Sequence, residues 1–370
     1  MSVEITRIVR WMEQLAPRVL AEEWDNVGLQ VGRHDAAVSR TITCLSLSDA
    51  VLKQAVAAQA QVIVAHHPLI FQPLKTLTDR DPVAQRVAQL IQNDIALYVT
   101  HTNLDAAPKG VGQWLDELFD LKRSTPLVLC QKDAYVKLVT YVPATHLEVV
   151  RNAITAAGAG HIGNYAACTF AAPGTGTFLP ESGTQPFIGE VGELAQVAEF
   201  RLETIVQEHL LSHVLTEMRR AHPYEEVAYD VYPLLIPSGC GYGRVGDLAA
   251  EMPFADFLAF VQKRLRITQL RTAGPSPERV RRVAVLNGSG GGYIEKARQA
   301  GATVYITGDM RYHDAEKAVA LGMCVIDAGH FTTERFIPTR LAAYLRERIA
   351  AENLRCEVLE ADEGELFNLL

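Results

Sequence analysis

Short apolar runs alternate with amphipathic segments in two stretches of the chain. Between residues 40 and 120, the runs TITCLSL, QVIVA and IALYVTH are typical of strands, and the segments that follow them have helical periodicity. The same rhythm returns from about residue 281 and ends in a long segment, 332–353, where Pro338 predicts either a kink or a delayed helix start. Strands and helices that alternate at this spacing predict βαβ units on a largely parallel sheet.

The residues between these two stretches have a different character. Residues 158–192 are dense in Gly, Pro and Thr, which predicts turns and short strands. Two strand–helix units with extra strands surround them, which predicts a ferredoxin-like α+β arrangement. We therefore expect an α/β fold: a split three-layer α/β domain whose two βαβ-rich halves are residues 1–125 and 239–370, with an α+β domain inserted at 126–238. Residues 237–246 are the expected return linker.

Composition narrows the class of protein. The 370 residues carry 35 Lys and Arg against 43 Asp and Glu without a basic cluster, so there is no strong signal for nucleic-acid binding. No apolar run reaches the length of a membrane span, and the N-terminal segment has the pattern of an amphipathic helix rather than of a signal peptide. Six cysteines without CxxC spacing disfavour a disulfide framework and a zinc ribbon. We expect a cytoplasmic protein that does not enter membranes.

Two adjacent histidines mark the end of one predicted strand. In the run QVIVAHHPLIF, His66 and His67 follow the apolar residues and precede Pro68. Neighbouring side chains on a strand point to opposite faces, but Pro68 cannot continue the ladder, so the chain is expected to turn here. Both rings can then face one point above the sheet edge. The pair predicts either metal binding or catalysis, or a loop that happens to carry two histidines.

Other predicted strands end in the same kind of residue. His101 and Asp105 follow one strand, and His330 and Glu334 follow a strand in the C-terminal half. Loops at the carboxyl ends of neighbouring parallel strands share one crevice, so these side chains can converge. Each carboxylate also has a simpler explanation. Asp105 has the position of a helix cap or Asx turn, and Glu334 that of a first-turn residue that favours the helix dipole.

Three further features have weaker implications. Asp309 and His313 follow another strand, and His313 either supports a ligand from behind or is a solvated helix residue. The glycine-rich run AVLNGSGGGYIEKA, 284–297, predicts a tight βα turn or a contact to an anion. His209 and His213 stand four apart on a predicted helix, and a solvated helix face explains them best.

The ligand types suggest a metal site. Histidines and carboxylates without thiolate suit zinc, iron, manganese or cobalt. Three imidazoles and two carboxylates exceed what one four-coordinate zinc needs. They fit two ions about 3.5–4 Å apart that share a carboxylate and a water, whose pKa two such ions lower. The histidine pair would then give one ring to each ion.

Five segments together resemble a known family. AEEWDNVGLQVG (21–32), AHHPLIF (65–71), THTNLD (100–105), TGDMRYHDA (307–315) and DAGHFTTE (327–334) resemble the Nif-three-like dinuclear-metal-centre hexameric proteins, many of which are named as homologues of type 2 GTP cyclohydrolase I. The resemblance implies two divalent ions per chain, a PII- or CutA-like inserted domain and a toroidal homohexamer with its metal sites facing the interior. The metal ligands that it implies are His66, His67, Asp105, His330 and Glu334.

The resemblance also implies a reaction. Metal-bound hydroxide would attack the imidazole carbon of a guanine nucleotide, open the ring and release formate, while His101 or His313 moves protons. A metal-dependent phosphoesterase or amidase is the nearest enzymatic alternative. The non-enzymatic alternative is a regulatory hexamer that stores, delivers or senses metal through its inserted domain. In one departure from the family pattern, Ser46 occupies a position where a carboxylate is expected after the first strand.

Overall fold

The computed structural model describes residues 3–130, 132–236 and 238–367. The chain divides into two compact units, one made of Met1–Cys130 with Gly239–Leu370 and the other of Gln131–Ser238. Both units contain helices and sheets, which confirms the mixed α/β class. In the described ranges, no helix combines the length and the apolar character needed to cross a membrane.

The first unit begins with thirteen regular elements in the described residues. In chain order they are β1 (Val3–Glu4), α1 (Ile5–Leu15), β2 (Gly28–Val31), β3 (Ala37–Val38), β4 (Arg40–Cys44), α2 (Asp49–Ala57), β5 (Val62–Ala65), α3 (Pro82–Gln92), β6 (Ala96–Val99), α4 (Thr102–Ala106), α5 (Val111–Phe119), β7 (Lys122–Thr125) and β8 (Val128–Leu129). Local chemistry fixes several helix starts. Asp81, for example, accepts a hydrogen bond from the amide of Val83 at the start of α3, where Pro82 needs no partner for its nitrogen.

The second unit has the order βαββαβ. Its elements are β9 (Tyr135–Pro143), α6 (Leu147–Ala156), β10 (Thr169–Phe178), β11 (Ala195–Gln207), α7 (Leu211–Ala221) and β12 (Tyr229–Pro233). The strands form an antiparallel sheet in the order β10-β11-β9-β12, which is ferredoxin-like. The PII- or CutA-like assignment stays a prediction.

Residues 169–178 differ from the prediction of turns and short strands. They form one ten-residue strand, β10, which pairs along its whole length with β11. Pro173 and the glycines of this segment are tolerated because β10 is the edge strand of the sheet. Edge position, which depends on tertiary contacts, cannot be derived from composition.

The first unit then resumes with twelve strands and α-helices in the described residues. They are β13 (Gly241–Tyr242), β14 (Arg244–Pro253), α8 (Phe254–Leu265), β15 (Arg271–Ala273), β16 (Arg279–Ser289), α9 (Ile294–Gln299), β17 (Val304–Gly308), α10 (Tyr312–Ala320), β18 (Cys324–Asp327), α11 (His330–Glu334), α12 (Ile337–Ala351) and β19 (Glu357–Glu360). Pro338 lies in the first turn of α12, so the delayed start is the alternative that the structure shows.

The expected return linker, 237–246, contains two strand segments that together take up five of its nine described residues. Gly241–Tyr242 pair with Val128–Leu129, and β14 begins at Arg244. A Cβ at Gly241 would lie 2.3 Å from the carbonyl oxygen of Val128, so this close pairing requires glycine. Pro237 lies outside the described residues.

Two sheets in the first unit exchange strands between the sequence halves. One has the order β19-β4-β5-β6-β2, in which β19, β4, β5 and β6 are parallel. The other has the order β15-β18-β17-β16-β14-β7, in which β16, β17 and β18 are parallel. The late strand β19 therefore completes the early sheet, and the early strand β7 completes the late one.

Alternate residues of the parallel strands pack into different cores. Val62 and Val64 join a central cluster that includes α1, α5, α8 and α12, whereas Ile63 and Ala65 join a cluster on the other face with α2 and α3. The second sheet behaves likewise, since Val283 and Ala284 belong to different clusters. Helices thus cover both faces, and the carboxyl ends of the strands remain the place for polar side chains.

Candidate metal centre

Six side chains of the first unit meet where its parallel strands end. His66 and His67 follow β5, His101 follows the neighbouring β6, and Asp105 lies one turn later on α4. His330 and Glu334 occupy the first and last positions of the short helix α11, which follows β18. The structure brings these six residues together, and they are called the histidine–carboxylate cluster below.

The ligand atoms of the cluster lie within a few ångströms of one another. Nε2 of His66 is 3.8 Å from Oδ1 of Asp105 and 3.9 Å from Oε1 of Glu334. Nε2 of His67 and Nε2 of His330 are each 3.0 Å from Oε2 of Glu334. Two sets of three residues have ligand atoms that all lie within 4.8 Å of each other; the sets are His66, His67, His101 and His67, His330, Glu334. The two sets share His67, and together they mark two adjacent places for a cation, one of which His67 can serve.

Each of the four imidazoles is held through its Nδ1 atom. The partners and distances are Thr100 O for His66 (2.8 Å), Ser46 Oγ for His67 (2.7 Å), Asp25 Oδ1 for His101 (3.0 Å) and Asp309 Oδ2 for His330 (2.7 Å). Metal-binding histidines characteristically engage the second ring nitrogen in this way, which fixes the tautomer and the ring orientation. The anchors leave all four Nε2 atoms for the centre of the cluster.

His66 gives the sharpest test of whether the cluster fits a cation. Its ring is fully buried and its Nδ1–H donates to the carbonyl of Thr100, so Nε2 carries a lone pair. Among the described residues, that Nε2 has no hydrogen-bond partner. Burial lowers the pKa of His66 to about 3, so the ring is neutral. A buried lone pair that faces two carboxylates is unfavourable unless a positive charge lies between them.

The two carboxylates are tied together by an amide. Nδ2 of the buried Asn287 donates to Oδ1 of Asp105 at 2.9 Å and to Oε1 of Glu334 at 3.0 Å. Burial, together with the charge of Glu334, raises the pKa of Asp105 to about 7. Burial acts on Glu334 in the same direction, but hydrogen bonds with His330 and His67 hold its pKa well below the usual range. The pair concentrates negative charge that divalent cations would offset.

His101 and His330 are polarised by the carboxylates that they contact. Burial lowers the pKa of His101, but the hydrogen bond with Asp25 outweighs it and leaves the pKa raised. Asp25 itself is opposed by burial, yet hydrogen bonds from His101 and Thr102 lower its pKa to about 2. The hydrogen bond with Glu334 raises the pKa of His330 to about 9. Both rings therefore attract protons when no cation is bound.

The glycine-rich run lets the backbone approach the cluster closely. Gly288, which has a φ of 61°, donates its amide to Thr333 Oγ1, and a Cβ here would lie 2.5 Å from Oε1 of Glu334. Asn287, one residue earlier, is the amide that binds both carboxylates. The tight βα turn predicted from the sequence is present, and its role is to approach Glu334 closely.

Sequence reasoning missed some of these residues and placed others differently. Asn287 and Asp25 were not predicted, although Asp25 stands in the WDN segment. His313 is 89% exposed with Nδ1 3.3 Å from Glu316, so the structure does not bring it to the cluster.

His209 and His213 lie in one continuous helical segment, but only the second of them is in an α-helix. His209 lies in a short 3₁₀ turn, Glu208–Leu210, where its Nδ1 is 2.8 Å from the buried Asp133. Only His213, which is exposed, belongs to α7. The first turn of this segment has 3₁₀ geometry, which is common at helix ends and cannot be read from helical periodicity.

Two exposed aromatic rings stand beside the cluster. Trp24 is 57% exposed and Phe71 is 45% exposed, and their ring centroids are 5.8 Å apart. The Trp24 ring also meets the His101 ring edge-on at 6.2 Å. Large aromatic side chains next to a polar cluster commonly mark a binding surface. They add a flat apolar face to the site.

Comparisons with known proteins agree with the architecture. Residues 3–364 match the family model described as Duf34/NIF3 (NGG1p interacting factor 3). A Bacillus subtilis protein named GTP cyclohydrolase 1 type 2 homolog is 41% identical over 331 residues, which is 89% of each chain. The crystal structure of a Bacillus cereus protein related to NIF3 covers 100% of both chains with a TM-score of 0.90 and 38% identity. A Staphylococcus aureus structure covers 100% of this chain and 99% of its own with a TM-score of 0.76 and 28% identity. This chain belongs to the DUF34/NIF3 family.

Proposed function

We propose that the protein is a hydrolase that depends on two divalent metal ions held by the histidine–carboxylate cluster. The observation that carries the proposal is the unpaired Nε2 of the fully buried His66, which faces Asp105 and Glu334. The ions would be bound by His66, His67, Asp105, His330 and Glu334, with zinc, iron, manganese and cobalt as candidates. Two such ions supply Lewis acidity and lower the pKa of water at neutral pH.

Glu334 would serve both ions. Its Oε1 faces His66, whereas its Oε2 faces His67 and His330. Asp105 faces His66 from the other side through Oδ1. Asn287 keeps the two carboxylates at a fixed separation. The chain therefore preorganises anionic oxygens on both sides of His66, which reduces the cost of ordering them when cations arrive.

His101 is the residue that we propose for proton transfer. Asp25 holds its Nδ1, so Nε2 is the atom that would accept or release a proton toward a substrate. Its pKa is raised by Asp25, and nearby cations would lower it again. His313 is not proposed for this step because its ring is 89% exposed and pairs with Glu316.

The aromatic pair beside the cluster favours a planar substrate. A purine ring can stack on Trp24 or Phe71 while its reacting edge faces His101, 6.2 Å from Trp24. Relatives named GTP cyclohydrolase 1 type 2 homolog support a guanine nucleotide. The proposed reaction is hydrolytic opening of the imidazole ring in two steps: a first water adds to the ring carbon and breaks one carbon–nitrogen bond to leave a formamide, and a second water cleaves the other bond, so that the carbon leaves as formate and both nitrogens remain as amines.

Turnover under metal control tests the proposal. Chelated protein is divided, reloaded with zinc, manganese, cobalt or anaerobic iron(II), and incubated with GTP, GMP, ATP and a phosphodiester, while formate and phosphate are measured. Formate release that requires reloading and is lost in His66→Ala supports the cyclohydrolase. Release of phosphate without formate supports the phosphoesterase alternative. Two bound ions without turnover of any compound would replace the hydrolase with a metal-binding regulatory protein.

A homohexamer is the assembly that we propose, by analogy with the resemblance described above. Light scattering coupled to size-exclusion chromatography tests it directly. A mass near six times 40.6 kDa supports a hexamer, and any other stable mass excludes it.

A further inference from the structure

We propose that the cavity of the second unit binds a small organic cation with an aromatic or aliphatic body. The cavity has a volume of about 630 Å³ and is bordered by β10, β11 and the loop at 180–187. This volume is within the range of about 300–1,000 Å³ that small-molecule sites occupy. The proposal goes beyond the proposed hydrolase because every lining residue belongs to Gln131–Ser238.

Aromatic rings form a connected wall of this cavity. Phe178 and Phe187 both pack against Tyr224, with ring centroids 5.8 and 6.4 Å from it, and Tyr141 also lines the cavity. Phe187 remains 51% exposed, so part of its ring is available to a ligand. Aromatic faces carry a partial negative charge that attracts cations, and several rings around one space are the usual means of binding organic ammonium groups.

A buried carboxylate supplies the polar end of the cavity. Glu199 is 8% exposed, and its Oε1 accepts a hydrogen bond from the Tyr224 hydroxyl at 2.7 Å. Among the described residues, Oε2 of Glu199 accepts none and the side chain has no ion pair. Gly176 on the neighbouring strand gives this oxygen its space, since a Cβ there would lie 2.0 Å from Oε2. Because Glu199 lines the cavity, its Oε2 atom is open to that space and retains acceptor capacity that a bound cation would use.

The other charged groups around Glu199 do not supply that cation. The guanidinium of Arg201 also lines the cavity, but it lies 3.3 Å from Glu203, which also pairs with Lys137. His222 is neutral in this environment, because burial lowers its pKa and its ring nitrogens bond the backbone of Tyr141 and Tyr224.

The charge balance of the lining decides the sign of the ligand. Glu225 and Glu226 are further carboxylates on the wall, against the single paired guanidinium of Arg201. An anionic ligand, including a nucleotide phosphate, would meet repulsion from all three carboxylates. A bare metal ion would gain little from the apolar rings. An ammonium group or a protonated heterocycle attached to an apolar body can form cation–π contacts with the rings and a charge-assisted hydrogen bond with Glu199.

Binding of charge-matched probes to the full chain tests the proposal. Tryptamine, phenethylamine, choline and agmatine are titrated by calorimetry and saturation-transfer NMR, with indole-3-propionate as the anion that shares the tryptamine ring. At least one cation is expected to bind with a Kd below about 1 mM, and Glu199→Gln should weaken it about tenfold, since a charge-assisted contact is lost. Glu193→Gln, at an exposed loop position outside the cavity, should leave binding unchanged.

A second variant keeps the test decisive if Glu199→Gln loses its fold. Phe187→Ala, at a half-exposed position, should weaken the same cation, whereas Phe170→Ala, 63% exposed and outside the lining, should not. Equal binding of indole-3-propionate, or no binding of any of the four cations, overturns the proposal. The proposal is also overturned if Phe187→Ala dissociates an oligomer and the unaltered chain binds no cation, because the cavity would then be an interface between copies.

Discussion

The hydroxyl oxygen of Ser46 lies 2.7 Å from Nδ1 of His67. Ser46 stands where the family pattern leads one to expect a carboxylate, so a neutral group orients this imidazole. When Ser46 accepts the proton on Nδ1, the lone pair on Nε2 points toward Glu334. Behind it, Glu363 accepts hydrogen bonds from the amides of Leu45 and Ser46 at 2.6 and 2.9 Å. The carboxylate of Glu363 therefore supplies a negative charge that is linked to the imidazole through Ser46 and not by direct contact.

Removal of the Ser46 hydroxyl is expected to weaken one ion selectively. Ser46→Ala should lower the affinity of the ion held by His67 by about 10–100-fold, the usual effect of losing a group that orients a ligand, and leave the other ion in place. Ser46→Asp should keep both ions. Titration against a chromophoric chelator measures the two affinities. Ser182→Ala, in an exposed loop of the second unit, is the control; an unchanged titration in Ser46→Ala would show that the ring needs no anchor.

Asp105→Asn is expected to leave at most one tightly held ion and to abolish turnover. The variant keeps the side-chain shape and removes one charge from the cluster. Repulsion between two dications about 3.5–4 Å apart is on the order of 20 kcal/mol at an effective dielectric near 20, so each nearby anion matters. Elemental analysis of purified protein counts the ions. Two ions and full activity would mean that Asp105 acts only at the start of α4.

Asn287→Ala is expected to destabilise the metal-free protein more than the metal-loaded protein. In the absence of ions, the amide is the neutral group that binds Asp105 and Glu334 together. Loss of hydrogen bonds to charged acceptors costs about 1.5–3 kcal/mol of unfolding free energy. Urea unfolding with and without chelator measures the difference. Equal destabilisation in both conditions would indicate that bound ions do not take over the role of the amide.

Trp24 is expected to report on substrate binding. It is 57% exposed, whereas Trp11 and Trp114 are 1% and 7% exposed, so a stacked base should quench mainly Trp24 fluorescence. GMP should quench and ribose 5-phosphate should not. Stacking contributes about 1–3 kcal/mol per base, so Trp24→Ala should raise the Kd for GMP about 5–150-fold. Quenching that persists in Trp24→Phe would place the base elsewhere.

The unfolding free energy of the chain is expected to fall below pH 6.5 in part through His222. Burial lowers the pKa of this ring from its ordinary value of 6.5, so the folded state favours the neutral form. The contribution of His222 to the unfolding free energy is therefore fully present above pH 6.5. It decreases as the pH falls toward the pKa of the folded state, because the unfolded chain takes up the proton first. Urea unfolding of chelated protein at pH 7.5 and 5.5 measures the slope. His222→Gln should have a shallower slope; an identical slope would assign the effect to other groups.

Most residues of the histidine–carboxylate cluster could be predicted from the sequence, because the ends of strands can be recognised in it. Apolar runs that stop at His66 and His101 place these two residues at the carboxyl ends of neighbouring strands of one sheet, and the run before His330 places that residue at a strand end of the other sheet. Asn287 could not be found in this way, since its partners Asp105 and Glu334 lie 182 and 47 positions away. The orientation of a helix cannot be read from the sequence either. Helix α10 begins at Tyr312 and leaves His313 exposed to solvent, whereas Asp309, which precedes the helix, contacts His330.

The strand exchange between the sequence halves has a consequence for synthesis. His67 and Glu334 lie 267 positions apart. At about 5–20 residues per second, a ribosome needs roughly 13–50 s to pass from one to the other. Throughout that interval β4 lacks its partner β19, and the nascent chain offers His66, His67 and His101 without the carboxylate of Glu334. An ion captured during translation meets an incomplete, nitrogen-rich set of ligands, whereas the finished chain presents the full set of nitrogen and oxygen donors. The complete set of nitrogen and oxygen donors thus exists only after Glu334 has been synthesised.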